Sequence, residues 1–177
     1  MLARQIEARA ASPSAGIIDS QSVKTTEAGG PRGYDAGKKV KGRKRHIVTD
    51  TMGLLVVAIV HAAGIQDRDG AVPLLASIRS AFPWLRHVFA DGGYAGDNKL
   101  KTALGDRGRW TLAIVKRAAD ADGFRVLPRR WVVERTLAWL NRNRRLAKDF
   151  EATIASAESW IRMASVKLLS RRLARTR

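Results

Sequence analysis

The sequence predicts an α/β fold. Three observations carry that expectation: short runs rich in β-branched residues and bounded by turn residues, longer stretches with apolar residues at helical spacing, and the alternation of the two along 177 residues. The length and a hydrophobic content of 45% suit one compact domain.

The elements read as follows. Residues 1–15, rich in Ala, Ser and Arg, form a disordered or loosely helical leader, and 16–177 form the domain. GIIDSQSVKT (16–25) is a short strand with a polar second half. Residues 27–44 hold five Gly, one Pro and many Lys, the composition of a mobile loop. RHIVTD (45–50), a turn at Met52-Gly53 and LLVVAIVHAA (54–63) make a hairpin. A loop over 64–70 leads into a helix over 69–82, with Asp69 as its cap and Pro73 in its first turn. HVFADGGYAG (87–96) is a strand running into a Gly-rich turn, followed by a short helix (98–108), a strand (109–117) and a polar loop (117–124). A helix over 128–147 opens on Pro128. A last helix spans 153–174, with Ile154, Ala157, Ile161, Ala164 and Leu168 at helical spacing.

Charge narrows the function classes. The net charge is +17, which points to a polyanionic partner, and nucleic acid is the commonest one. The surplus lies in two segments, +6 over residues 24–45 and +9 over 128–177, around a nearly balanced middle. Two basic flanks are what a charged groove needs; two independently solvated faces are the alternative. The absence of cysteine excludes disulfides, thiolate catalysis and Cys-based zinc sites, and fits a cytoplasmic protein. No run of apolar residues is long enough for a membrane helix, and the N-terminal residues lack the apolar stretch of a secretory signal. His46, His61 and His87 have no metal-ligand spacing.

Three acids stand out. Asp19 follows Ile17-Ile18 in a strand, where a carboxylate needs a partner or a cation; a strand-end turn cap is the alternative. Asp91 ends a strand and precedes Gly92-Gly93, in the position beyond strand ends where α/β proteins bind ligands. Glu134 lies one turn into a helix, on a face shared with Arg130, Ala138, Asn141 and Arg145; alone it reads as a surface ion pair. Val132, Val133, Leu137, Trp139 and Leu140 cover the opposite arc, and Trp131 and Trp139 read as core. As a set, the three carboxylates supply the hard oxygen ligands that Mg²⁺ prefers.

Three blocks then carry a resemblance: IIDSQSVKT with GYDAGKKVKGRKRHIVTDTMG, HVFADGGYAG, and RRWVVERTLAWLNRNRRLAKDFE. From about residue 16 onward the sequence closely resembles the DDE transposases of bacterial insertion sequences, in particular the insertion-sequence-five group. The resemblance implies an RNase H-like fold, a mixed five-stranded sheet flanked by helices. It implies Asp19, Asp91 and Glu134 as a catalytic triad holding two Mg²⁺ ions, with Mn²⁺ able to substitute. It also implies phosphodiester hydrolysis at element ends and strand transfer of the freed 3′-OH to target DNA. In the related signature around the third acid, Arg130 and Glu134 match, whereas Leu127 stands at the Tyr position and Asn141 at the Lys position, with Arg142 adjacent and Arg145 one turn on.

The expected partners are double-stranded DNA and a second copy of the chain on that DNA. Only eighteen residues precede Asp19, so the product of an upstream frame is a candidate supplier of an N-terminal DNA-binding region. The expected DNA contacts are Lys38, Lys39, Lys41, Arg43, Lys44 and Arg45 on a mobile arm, with Arg130, Arg142 and Arg145 on the late helix. The expected location is the bacterial cytoplasm, on the nucleoid. Two other functions remain open at this point: a truncated, non-catalytic DNA-binding remnant, and an RNase H-like nuclease that cleaves without joining.

Overall fold

The structure, a computed structural model, describes residues 2–96, 100, 102, 111–115 and 128–175. The expected helix over 98–108 and loop over 117–124 lie almost wholly outside the described residues, as does Leu127.

A mixed sheet forms the centre. Strand β1 (Ala15–Lys24) pairs antiparallel with β3 (Val40–Asp50) on one side and parallel with β5 (His87–Ala90) on the other. Strand β4 (Leu55–Ala62) extends the β3 side antiparallel, and β6 (Thr111–Ile114) extends the β5 side parallel. These are the five expected strands. A sixth, the short β2 (Gly33–Asp35), pairs with Val40–Gly42 at the start of β3. It lies in the segment expected to be a mobile loop, as does the first half of β3. Strand pairing uses backbone groups and needs no apolar side chains, so a Gly- and Lys-rich composition hid both.

Helix α1 (Leu2–Ile6) begins the chain, and within it Arg4 is buried in an ion pair with Asp50. Asp50 in turn accepts the Met52 and Leu54 amides at 2.8 and 2.9 Å, closing the β3–β4 turn. Helix α2 (Asp67–Ala81) starts two residues earlier than expected, with Gln66 as its cap residue. Asp69 is therefore a first-turn acid, and Pro73 lies inside the helix, where it offers no N–H to the carbonyl one turn back. Helix α3 (Pro128–Asn141) ends six residues short of the expected boundary. Asn143 is extended (φ −84°, ψ 122°) and a single 3₁₀ turn follows at Arg144–Leu146. Helix α4 is Ile154–Arg175.

Strand alternation divides the core into two layers. Ile18, Val48 and Val88 face α2, against Leu74, Leu75 and Ile78. Ile17, Ile47 and Val60 face α3 and α4, against Val133, Leu137, Leu140 and Ile161. Each such buried side chain contributes about 1.5–3 kcal/mol. Among the described residues no helix is long and apolar enough to cross a membrane.

Candidate active site

Asp19 sits in the middle of β1, paired with Ile47, and by alternation looks toward α3 with Ile17. Its Oδ1 accepts the Ser20 amide at 2.7 Å. Burial, then the negative charges of Asp91 and Glu134, push its carboxyl up to about 6, against the Ser20 amide and the Lys38 ammonium. Three acids from separate parts of the chain are thus close enough to repel.

Asp91 follows the last residue of β5 and caps the 3₁₀ turn Gly92–Tyr94, accepting the Gly93 amide at 2.8 Å. Glu134 projects from the second turn of α3 and is exposed. One nitrogen of Arg130, Nη2, reaches both acids, at 3.1 Å from Glu134 and 3.6 Å from Asp91. The i,i+4 pair expected on this helix face is present, and the guanidinium also bridges to the strand-borne acid. In this geometry no three His, Cys, Asp or Glu side chains among the described residues are grouped as metal ligands.

A polar network lies behind β1, on the α2 side. Lys44 is buried, with Nζ 2.7 Å from Asp67 Oδ1, 3.3 Å from Asp35 Oδ2 and 2.7 Å from the Ile65 carbonyl. Lys38 Nζ donates to the carbonyl and hydroxyl of Ser20, both at 3.0 Å, and lies 3.8 Å from Asp67. Burial alone would raise the Asp35 carboxyl, but Ser22, the Lys38 amide and Lys44 outweigh it and hold it at about 2. Asp67 is likewise pulled below the usual carboxylate range, burial being outweighed by Lys44, Lys38 and Ser20. Sequence reasoning passed over Ser20 and Asp67. Asp67 read as a loop residue, and only packing of α2 on the sheet brings it to β1 and β3.

The expected basic contacts fall into distinct groups. Arg43, Lys44 and Arg45 are 0–4% exposed, not on a mobile arm. Their charges are taken up inside the protein. Arg43 pairs with Asp149 at 3.1 Å and donates to the carbonyls of Glu151, Ala152 and Pro31. Arg45 donates to the carbonyls of Leu146 and Lys148 at 2.7 and 3.2 Å. Lys39 and Lys41 are exposed and line a depression of about 810 Å³ with Lys24, Arg32, Lys148 and Tyr34. Arg142 lines a cleft of about 570 Å³ between α3, α4 and the β3–β4 turn, together with Arg135 and Arg171. Arg145 pairs with Glu151 at 3.3 Å and lies over Trp160. Trp131, expected in the core, is 41% exposed and is covered on one side by the Arg135 guanidinium, which also lies over the half-buried Trp139.

The strand order and the flanking helices define an RNase H-like α/β fold. The family profile described as Transposase DDE domain matches residues 10–168, and the chain belongs to that family. A Burkholderia cepacia protein named as a transposase for insertion sequence element IS402 is 35% identical over 142 residues, 76% of this chain and 64% of the relative. The chain thus spans just under two thirds of the length of that relative. Among solved structures, a chain of the simian T-cell lymphotropic virus intasome in complex with PP2A regulatory subunit B56 gamma superposes with a TM-score of 0.54. It has 13% identity, over 89% of this chain and 49% of that one. The catalytic core domain of BIV integrase gives 0.49 and 16%, over 88% and 82%.

Proposed function

We propose that this chain is the catalytic domain of an insertion-sequence transposase of the insertion-sequence-five group, cutting DNA at element ends and joining the 3′-OH to target DNA. The observation that carries the reading is that Arg130 Nη2 reaches both Asp91 and Glu134, while Asp19 on the neighbouring strand is near enough for both acids to raise its carboxyl. Acids so placed are unfavourable without a counter-cation, and their oxygens are the hard donors that a divalent metal takes. Family membership and the 35% identity to the transposase for IS402 support the same reading.

In this reading Asp19, Asp91 and Glu134 hold Mg²⁺, or Mn²⁺ in its place. Bound there, a pair of ions would lower the pKa of the attacking hydroxyl and offset charge on the leaving oxygen. The chain's own residues do the rest. Arg130 occupies the gap between Asp91 and Glu134 and releases both acids when it swings to a DNA phosphate. Lys38, tethered to Ser20 beside Asp19, offers an ammonium to the same backbone. Double-stranded DNA is the partner, held by Lys39 and Lys41 on the outer depression and by Arg142 and Arg145 near the end of α3.

The test is nicking and strand transfer on element-end DNA with Mg²⁺. Asp91→Ala should lose at least a hundredfold in nicking. Equal nicking by the variant would remove the triad, and nicking without joining would reassign the chain as a nuclease.

A further inference from the structure

Behind the proposed triad lies a buried polar chain that the chemistry above does not use. His46 on β3 is 0% exposed and Tyr94, closing the turn that Asp91 caps, is 2% exposed. His46 Nε2 is 2.7 Å from the Tyr94 hydroxyl. His46 Nδ1 is 2.9 Å from His61 Nε2, and His61 Nδ1 is 2.9 Å from the Ala62 carbonyl.

The far end fixes every proton in this chain. A carbonyl only accepts, so His61 Nδ1 carries hydrogen. Burial pushes both imidazoles below their ordinary range, so each ring is neutral near pH 7. His61 Nε2 is then an acceptor, and His46 Nδ1 must donate to it. His46 Nε2 is left as an acceptor, and Tyr94 O–H must donate to it. Burial and the charges of Asp19, Asp67 and Asp91 keep the Tyr94 hydroxyl protonated. Each link has one permitted direction.

Helix α2 is fitted to this chain. A Cβ on Gly70 would lie 2.5 Å from His61 Nε2 and 2.7 Å from His46 Nδ1, so the helix seats directly on the hydrogen bond between the rings. β3, β4, α2 and the turn after β5 therefore meet at one interaction. The turn's other end is Asp91, whose carbonyl accepts the Tyr94 amide at 3.2 Å and whose side chain accepts the Gly93 amide.

We infer that Tyr94, His46 and His61 form a one-way hydrogen-bond chain that locks the Gly92–Tyr94 turn to the sheet and thereby positions Asp91. They are positioning residues, acting through Asp91. The inference rests on the triad reading for its consequence, but not for its geometry.

The experiment has two arms on the full chain. Long-range ¹H–¹⁵N correlation of the wild-type imidazoles at pH 7 should show both His46 and His61 as Nδ1–H tautomers, the minority form of free histidine. His46 found as the Nε2–H tautomer overturns the chain. This arm needs no variant and no metal. In the second arm, Mn²⁺ titration by calorimetry compares wild type with Tyr94→Phe and Asp91→Ala. Tyr94→Phe, with an unchanged circular dichroism spectrum, should weaken Mn²⁺ binding about tenfold, as loss of a ligand's support does. Gly70→Ala, which forces the rings apart without deleting a group, should do the same. Wild-type affinity in Tyr94→Phe and Gly70→Ala, with binding lost in Asp91→Ala, overturns the positioning role and leaves the triad standing. Unchanged affinity in Asp91→Ala overturns both, whatever the tautomers show.

Discussion

Residues 38–41 and 43–45 belong to one basic run, yet the fold treats them as different materials. Lys39 and Lys41 stand in solvent around an open depression. Arg43, Lys44 and Arg45, two residues further on, are almost wholly buried. Pairing makes the difference. The β2–β3 turn projects beyond the sheet body, whereas from Arg43 onward β3 is flanked on both sides, by β1 and by β4. Alternation then sends Arg43 and Arg45 to the α3–α4 face and Lys44 to the α2 face. Waiting there are Asp149 with the carbonyls that follow α3, and Asp67 with Asp35. A cluster of cations is thus no measure of a binding surface. Half of it here is internal fastening.

The sharpest way to break this comparison is Arg43→Ala. It strands the buried Asp149 carboxylate and the five carbonyls that the guanidinium reaches, and urea unfolding should show a loss of about 3–5 kcal/mol. A loss below about 1 kcal/mol would mean that Arg43 is not the fastener described.

Asp19 sharpens the comparison from the other side, as a half-buried carboxyl repelled by its neighbours. Its carboxyl is raised from the ordinary 3.8 to about 6. Between those values the native protein holds a proton that the unfolded chain has released. The Asp19 contribution to stability therefore falls as pH rises from about 4 to about 6 and levels off above, against the opposite slope that the buried His46 and His61 give in that window. Asp19→Asn removes that slope. Without added metal it should stabilise the protein at pH 7 by roughly 2–3 kcal/mol, with little effect near pH 4. Parallel pH–stability curves for the two proteins would contradict the shift.

The smallest effect on stability belongs to the outer lysines. Lys39→Ala with Lys41→Ala should move unfolding by no more than about 0.5 kcal/mol. The slope of log K for duplex DNA against log salt should nevertheless fall by about 0.9 per lysine. An unchanged slope would take the depression out of the DNA path.

Much of the molecule was legible beforehand. The β-branched runs marked β1, the β3–β4 hairpin and β5, because apolar alternation and turn residues are local signals. Asp19 and Asp91 stood out because a carboxylate at the end of an apolar run conflicts with its surroundings. Strand β2, the start of β3 and the end of α3 were not legible. They are set by backbone pairing and by carbonyls that Arg45 draws to itself from about a hundred residues away. Nor did anything near Asp67 in the sequence mark it as a neighbour of Ser20.

The sequence by itself determined the alternation of strands and helices, the two basic segments and the three acids, since each is written in adjacent residues. Only the tertiary structure decided which cations are inside, that Arg130 stands between Asp91 and Glu134, and that His46, His61 and Tyr94 share one hydrogen-bond chain. Burial and hydrogen-bond partnership are properties of what the fold brings together. For these residues most of the partners lie far along the chain.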